Sequence, residues 1–352
     1  MNTGTAHNRI ASRLPGLLLF VALGIACAVP AAPFPPTSPL RNYVALFDTL
    51  VGQNFDAGRA ICDQMARDFP SHPAVEYGYA SVIYANLCDA EDTTGAAKLE
   101  EHVARCLDAC EQWERRNADS ARAEREYYVG AALSVSGLTM NRTGGKIRAI
   151  RRVMSSRDHF DRSIELDSTF YDANMGRGAY RYAAAQSMGM FSWLPFVPSK
   201  KLGWSDLTIA VEQSNFSRYA AMTAMVWILI DEARYAEAND MIEQGLSRFP
   251  AARTFLLPKL SLEKKTGRWG AAYNTAQELL RQLESLPNQN GYEIVGLYRT
   301  LMDCTDHLGR SEEAVVYARE GLAVSLNTYA RERRTETLRT LEERVLRAEG
   351  KP

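Results

Sequence analysis

The chain has 352 residues, which is enough for one large domain or two ordinary ones. Hydrophobic residues make up 46% of the chain and charged residues 24%, close to the values of an ordinary globular protein. The formal net charge is −1, which argues against a nucleic-acid-binding protein, because such proteins normally have a basic excess on at least one face.

The N-terminal segment has the three-part layout of a secretory signal. Arg9 and Arg13 precede an apolar run at residues 17–26, and small residues at 26–28 suit cleavage. The apolar run is shorter than the roughly 20 residues that a membrane-spanning helix needs. We therefore predict a signal peptide at residues 1–28 rather than a transmembrane anchor.

Cys27 adds a second interpretation of this segment. Residues 23–27 resemble a bacterial lipoprotein box, in which the cysteine becomes a lipidated N-terminus, although Gly24 stands where that pattern favours leucine. Plain cleavage after Ala28 is the alternative. The proline-rich residues 29–39 predict an extended tether in either case. The sequence thus predicts an exported protein, either periplasmic or anchored in the envelope as a lipoprotein.

Five cysteines follow the signal segment, namely Cys62, Cys88, Cys106, Cys110 and Cys304. Cys106 and Cys110 lie four positions apart on one predicted helix, but no His or Cys pair elsewhere completes a four-ligand metal set. We predict no metal. The pair is interpreted as two small buried residues, or as one cysteine bonded to Cys88.

The C-terminal half repeats itself. The segment that begins Ala233-Arg234-Tyr235 returns as Gly267-Arg268-Trp269, and it returns again from Gly309. The first interval is about 34 residues, a length typical of helical repeats, and the second interval is longer. The difference fits the loop at 285–291, whose proline, asparagines and glycine break helices. Each copy places a small residue five positions after its start, at Ala238, Ala272 and Ala314. Such residues allow the second helix of a pair to approach the first closely.

This spacing resembles the tetratricopeptide repeat, whose unit is about 34 residues long. The resemblance is strong over residues 219–328 and weak at 40–72 and 146–187, and the third copy departs from it with Ser311 at the aromatic position. The resemblance implies an all-α fold. It also implies a right-handed α-α superhelix, a solenoid of antiparallel helix pairs, with a C-terminal capping helix.

The organisation of the chain follows from these features. The predicted segments are the signal peptide, the tether, a degenerate helical-repeat region at 40–187, a connector at 188–200, the repeats at 201–328, and a capping helix with a tail at 329–352. Within the degenerate region, long helices are predicted at 74–87, 93–116, 119–139 and 146–166. A helix at 201–214 is expected to turn Leu202, Leu207 and Val211 toward the core. One charged capping helix is expected at 330–348.

Residues 188–198 are apolar, aromatic and interrupted by proline, so they cannot form a long helix. They are interpreted either as a buried connector between repeats or as an exposed patch for a membrane or a partner.

No catalytic motif is present in the sequence. The histidines His72, His102, His159 and His307 are scattered, and there is no HExxH metal motif, nucleophile elbow, phosphate loop or dinucleotide fingerprint. We therefore predict a protein that is not an enzyme and needs no cofactor.

In the family that the repeats resemble, the first helix of each pair lines a concave groove that holds the ligand. Matched by register, the expected binding residues are Trp227, Asp231, Lys264, Lys265, Arg299, Asp303 and Asp306. Trp227 also fits ordinary core, because it lies within an apolar helix.

The preferred hypothesis is an exported scaffold that binds a protein or peptide in its groove within the bacterial cell envelope. The alternative is a helical module that binds a lipid or small molecule through residues 188–198. An unrecognised envelope enzyme is a third hypothesis. The oligomeric state does not follow from the sequence.

Overall fold

The computed structural model describes residues 38–116, 122–187, 199–286 and 290–350. These residues form helices and turns and contain no strand. The helices are α1 (Leu40–Val51), α2 (Phe55–Asp68), α3 (Pro73–Asp89), α4 (Ala96–Arg116), α5 (Arg122–Arg142), α6 (Lys146–Leu166), α7 (Ala173–Ser187), α8 (Lys200–Gln213), α9 (Arg218–Asp231), α10 (Tyr235–Arg248), α11 (Arg253–Lys265), α12 (Trp269–Glu284), α13 (Tyr292–His307), α14 (Ser311–Ala323), α15 (Thr328–Arg333) and α16 (Thr335–Ala348).

Helices α1 to α14 form seven antiparallel pairs that stack in chain order. Each helix contacts the next one in the chain, both within pairs and between them. The predicted small residues Ala238, Ala272 and Ala314 are fully buried where paired helices meet. The all-α class and the tetratricopeptide-like stack of helix pairs are thus confirmed.

One turn geometry joins the helices of six pairs. After Ala233, the N–H of Arg234 donates to the carbonyl of Leu229 at 2.8 Å, and after Gly267 the N–H of Arg268 donates to that of Glu263 at 2.9 Å. This bond is the Schellman arrangement, with the residue before the donor in the left-handed region. The residues in that conformation are Gln53, Glu91, Gly144, Ala233, Gly267 and Gly309. The repeat therefore extends into the N-terminal half, where the sequence barely shows it.

The boundaries of the long N-terminal helices agree closely with the predicted ones, but two expectations were wrong. Leu202 is 55% exposed rather than buried, while Leu207 on the same helix is fully buried. The charged capping segment is also not one helix, since α15 and α16 meet at Arg334. That guanidinium lies 3.7 Å from the ring centre of Tyr292, and its Nε donates to the Tyr292 carbonyl. These bonds hold the chain where the capping helix breaks.

The stack curves until its early and late helices meet. Arg253, the first residue of α11, donates from Nε and Nη2 to the carboxylate of Asp89 at the end of α3, at 2.9 and 2.6 Å. The backbone N–H of Arg253 donates to Gln53 Oε1 at 2.9 Å. Thr254 Oγ1 donates to the carbonyl of Val51 at 3.0 Å. We call this set of contacts the seam.

A second part of the seam lies one pair further along. Asn290, just before α13, donates from Nδ2 to the carbonyls of Ala90 and Glu91 at 3.0 and 3.1 Å. The ends of α1 and α3 thus abut the starts of α11 and α13, which is one superhelical turn of the stack. Val51 of α1 also packs in a small apolar cluster with Phe255 of α11.

Among the described residues, no helix is both long and apolar enough to cross a bilayer.

A close helix crossing gives a first prediction. A Cβ at Gly203 of α8 would lie 2.6 Å from the backbone nitrogen of Tyr182 on α7. Because backbone atoms cannot give way as a side chain does, Gly203→Ala should lower the free energy of unfolding by about 1–3 kcal/mol. Gly270→Ala is the control, since a Cβ there meets nothing within 4 Å and alanine favours a helix. Chemical denaturation measures the free energy of unfolding of both variants. Equal losses would contradict the close approach of α7 and α8 at Gly203.

The seam gives a second prediction. Arg253 and Asp89 expose only 9% and 11% of their side chains, so Arg253→Met leaves a nearly buried carboxylate without its partner. We expect a loss of about 3 kcal/mol or more in the free energy of unfolding. Arg248→Met is the matched control, because Arg248 pairs with Asp48 across the same seam but is 57% exposed, and should lose less than about 1 kcal/mol. If denaturation showed that Arg253→Met and Arg248→Met lose the same free energy of unfolding, the special role of the buried ion pair would be contradicted.

Candidate functional site

The curved stack encloses a cavity of about 420 Å³, called here the central cavity. Its walls come mainly from the first helix of six successive pairs, α1, α3, α5, α7, α9 and α11, with Phe55 of α2 and Phe160 of α6. Most of the lining side chains are apolar or aromatic, among them Phe47, Leu50, Tyr77, Tyr84, Tyr127, Val135, Leu138, Met175, Trp227 and Leu257. Cavities of this size and character are the usual binding sites of proteins.

Part of the cavity wall consists of packed aromatic rings. Tyr127 contacts Phe170 and Phe216 with ring centres 5.2 and 5.7 Å apart, and Tyr77 meets Tyr127 edge to face at 6.0 Å. Burial raises the pKa of both tyrosines, so they stay neutral. These interlocking rings give the cavity a rigid apolar wall.

Several polar groups that line the cavity are already bonded to the protein. Ser81 Oγ and Thr223 Oγ1 donate to the carbonyls one helical turn earlier, at 2.8 and 2.9 Å. Asp172 accepts from the backbone N–H groups of residues 215, 216 and 217 at 3.1, 3.0 and 2.8 Å. Asp89 is held by Arg253 in the seam. The O–H donors of Ser81 and Thr223 are therefore used within the protein and both carboxylates are already bonded, so the cavity favours apolar groups.

A largely buried carboxyl, that of Glu124, lies behind the aromatic wall. Tyr128 Oη donates to Glu124 Oε1 at 2.8 Å, and His72 Nε2 lies 3.8 Å from the same oxygen. Burial raises the pKa of Glu124 to about 7, although the bond from Tyr128 favours the charged form. Burial lowers the pKa of His72 to about 4. Both groups are therefore neutral in the folded protein over the weakly acidic range.

Of the predicted binding residues, the structure places only Trp227 in the central cavity. Its side chain is 41% exposed there, so the interpretation as ordinary core does not describe it. Thr223, one turn earlier on α9, also lines the cavity.

The other predicted residues lie outside the cavity. Asp231 is exposed at the end of α9. Lys264 donates to Thr300 Oγ1 at 3.2 Å, and Lys265 is exposed beside it.

The acidic residues of α13 are held in ion pairs. Asp303 pairs with Arg299 at 2.9 Å along the helix. Asp306 accepts from Arg344 of α16 at 2.9 and 2.8 Å, and so ties the capping helix to the last pair. The role of the predicted set as groove residues stays a prediction.

Sequence reasoning missed the cavity residues of α1, α3 and α5. Alignment of the pairs would have found them, because Phe69-Pro70 and Phe249-Pro250 occupy the same turn after α2 and after α10. In both turns the phenylalanine N–H donates four positions back, to Met65 and to Gly245. That register would have carried the groove positions onto the N-terminal helices.

The cysteines of the described residues are free thiols, and Cys106 and Cys110 are buried as expected. The proposed bond to Cys88 is not formed in the structure. Across residues 38–116, 122–187, 199–286 and 290–350, no three His, Cys, Asp or Glu side chains group as metal ligands would. Cys27 and residues 188–198 lie outside the described residues.

No protein-family model and no curated protein matches the chain. Among solved structures it is similar to a chain in the crystal structure of the APC/C hetero-tetramer Cut9-Hcn1, with a TM-score of 0.42 and 12% identity. The match covers 82% of this chain and 58% of that one, so this chain spans less than two thirds of that protein. The description of the fold therefore depends on the contacts within this chain.

The buried carboxyl gives a third prediction. The unfolded chain releases the Glu124 proton near pH 4.5 and the folded chain near pH 7, so this group's stabilisation is present below 4.5 and is lost as the pH rises to 7. Because glutamine does not titrate, Glu124→Gln should not lose stability over this pH range. Its free energy of unfolding relative to the parent should rise by roughly 2–3 kcal/mol between pH 4.5 and 7 and then level off. Denaturation across that range measures it.

His72→Asn provides a control of opposite sign and keeps an acceptor for the Ala74 N–H. Burial favours the neutral form of His72 in the folded chain. The stabilisation from this group is therefore complete above the unfolded pKa of 6.5 and is lost as the pH falls toward the folded pKa of about 4. His72→Asn should therefore not show this loss in the free energy of unfolding at low pH. If the difference between Glu124→Gln and the parent did not change with pH, the buried-carboxyl account would be wrong.

Proposed function

We propose that this protein is an exported scaffold of the bacterial cell envelope that binds a partner protein on the concave side of its helix stack. The observation that supports this most directly is the convergence of six first helices on one apolar cavity. In stacked helix pairs the concave side is the extended binding surface. Export, periplasmic location and lipidation of Cys27 rest on the sequence pattern alone. The proposed role is binding without catalysis.

The chemistry of the cavity defines which part of the partner enters it. A peptide backbone inside would lose its water and find few free partners, which is unfavourable. Apolar side chains would replace water at no such cost. We therefore expect the partner to insert bulky apolar side chains, with Trp227 as an aromatic contact. The polar backbone of the partner would stay outside, where Lys264 and Lys265 present charge.

A second candidate is a lipid or small apolar molecule in the same cavity. The hydrogen bonds that Asp172, Ser81 and Thr223 already form within the protein favour this candidate, because an alkyl chain needs no hydrogen-bond partner. A volume of about 420 Å³ is within the range of small-molecule sites. The route through residues 188–198 stays a prediction.

A fourth prediction tests the cavity directly. Ala85→Trp, on the cavity wall, should fill the space and reduce capture of the partner at least tenfold, because a bulky ring occupies the volume that the partner's side chains need. Brief crosslinking in solubilised envelopes and quantitative mass spectrometry measure the capture. Ala236→Trp on the exposed face of α10 is the control and should capture the partner as the parent does.

The same experiment includes the pair Lys264→Glu/Lys265→Glu. Loss of the partner with both Ala85→Trp and this pair would support a groove that extends from the cavity along α11. Retention of every partner by Ala85→Trp, with circular dichroism showing an intact fold, would contradict a role for the cavity in protein binding. Lipid recovered from the parent but not from Ala85→Trp, with no partner protein, would favour the second candidate.

A further inference from the structure

The first half of α6 exposes more aliphatic surface than its neighbours. Ile147, Ile150 and Met154 are 70%, 60% and 49% exposed. Their spacing of three and four positions places them on one face of the helix, within an arc of about 60°. The opposite face is buried through Ala149, Ser156 and Phe160. The apolar stripe is thus fixed on the outside of the molecule by the packing of the other face.

Cations surround this stripe. No Asp or Glu occurs between residues 127 and 157, whereas Lys146, Arg148, Arg151 and Arg152 follow one another closely at the start of α6. None of the four forms an ion pair with a described carboxylate. Arg157, further along the helix, differs in pairing with Asp158.

The helical positions of the cations complete the pattern. At about 100° per residue, Arg151 lies beside Ile147 within the exposed face, with Lys146 on one flank and Arg148 on the other. Lys146, Arg148 and Arg151 are exposed. By contrast, the charged helix α16 neutralises its own cations, as where Arg339 bonds Glu336 and Glu343. The surplus positive charge on α6 is therefore local and open to a partner.

We propose that this face of α6, defined by Lys146, Ile147, Arg148, Ile150, Arg151 and Met154, docks the protein on the surface of an anionic phospholipid bilayer. Aliphatic side chains flanked by Lys and Arg are the composition of helices that lie in a membrane interface. The aliphatic groups would enter the acyl boundary while the cations meet lipid phosphates. A purely acidic protein surface would satisfy the cations, but it would leave the aliphatic stripe exposed to water.

Vesicle sedimentation tests the proposal with the full chain carrying Cys27→Ser, so that no lipid anchor contributes and every variant has the same N-terminus. Phosphatidylcholine vesicles with and without phosphatidylglycerol are compared at low and high salt. We expect binding only where phosphatidylglycerol is present, and weaker binding at high salt. Arg148→Glu/Arg151→Glu should reduce the affinity by roughly tenfold or more, because each cation near an anionic surface contributes to binding.

Two further variants make the result specific. Ile147→Ser/Ile150→Ser keeps the charge and should also reduce the affinity severalfold, which simple counter-charge binding would not predict. Arg59→Glu on α2 alters an exposed cation with no ion pair to a described carboxylate, and it should bind as the parent does. Thermal unfolding confirms that each variant is folded.

Equal affinity of the parent and both α6 variants would overturn the proposal, as would an equal loss with Arg59→Glu. Failure to bind anionic vesicles, together with crosslinking of α6 to an acidic protein, would assign the face to a protein instead.

Discussion

The ion pair between Arg253 and Asp89 joins two parts of the helix stack that are 164 residues apart in the chain. Without a contact of this kind, each helix pair touches only its neighbours, and the rotation between neighbouring pairs alone sets the curvature. The seam adds a long-range contact that holds this curvature. Because the central cavity is the space that this curvature encloses, the seam also sets its size and the spacing of its walls.

The ion pair and the apolar contacts of the seam have different roles. Removing two charges from water is unfavourable, and a buried pair stabilises little compared with apolar side chains of the same shape. The favourable free energy of closure therefore comes mainly from contacts such as that of Val51 with Phe255. The bidentate geometry of Arg253 instead specifies the register, since a shift of one residue between α3 and α11 would leave both charges unpaired.

The sequence predicts the fold where helix pairs depend on side chains and fails where they depend on the backbone. Ala238 and Trp269 mark their repeats because small and aromatic groups are needed there. The turn at Glu91 has the same Schellman bond, but a backbone N–H and carbonyl make it, so the residues leave little trace. Trp227 was found in the cavity by register. Tyr77 and Tyr127 were not found, because the pairs that contain them keep the repeat in their backbone turns and not in a recognisable residue pattern.

Because the backbone turns do not depend on particular side chains, one stack can have an apolar cavity on its concave side and a different surface on the outer face of α6. The backbone turns hold the pairs together whatever the helix lengths, so α5 and α6 can reach 21 residues each while α7 has 15. The difference in length between α6 and α7 corresponds to about 9 Å of helix. The first turns of α6 pack against the end of α5 through Ala149, and their other face exposes Ile147 and Ile150. On the concave side, α5 lines the cavity together with five other first helices, and its residues Tyr127 and Val135 are buried there. A bilayer surface, as proposed above, would cover Ile147 and Ile150 on this outer face.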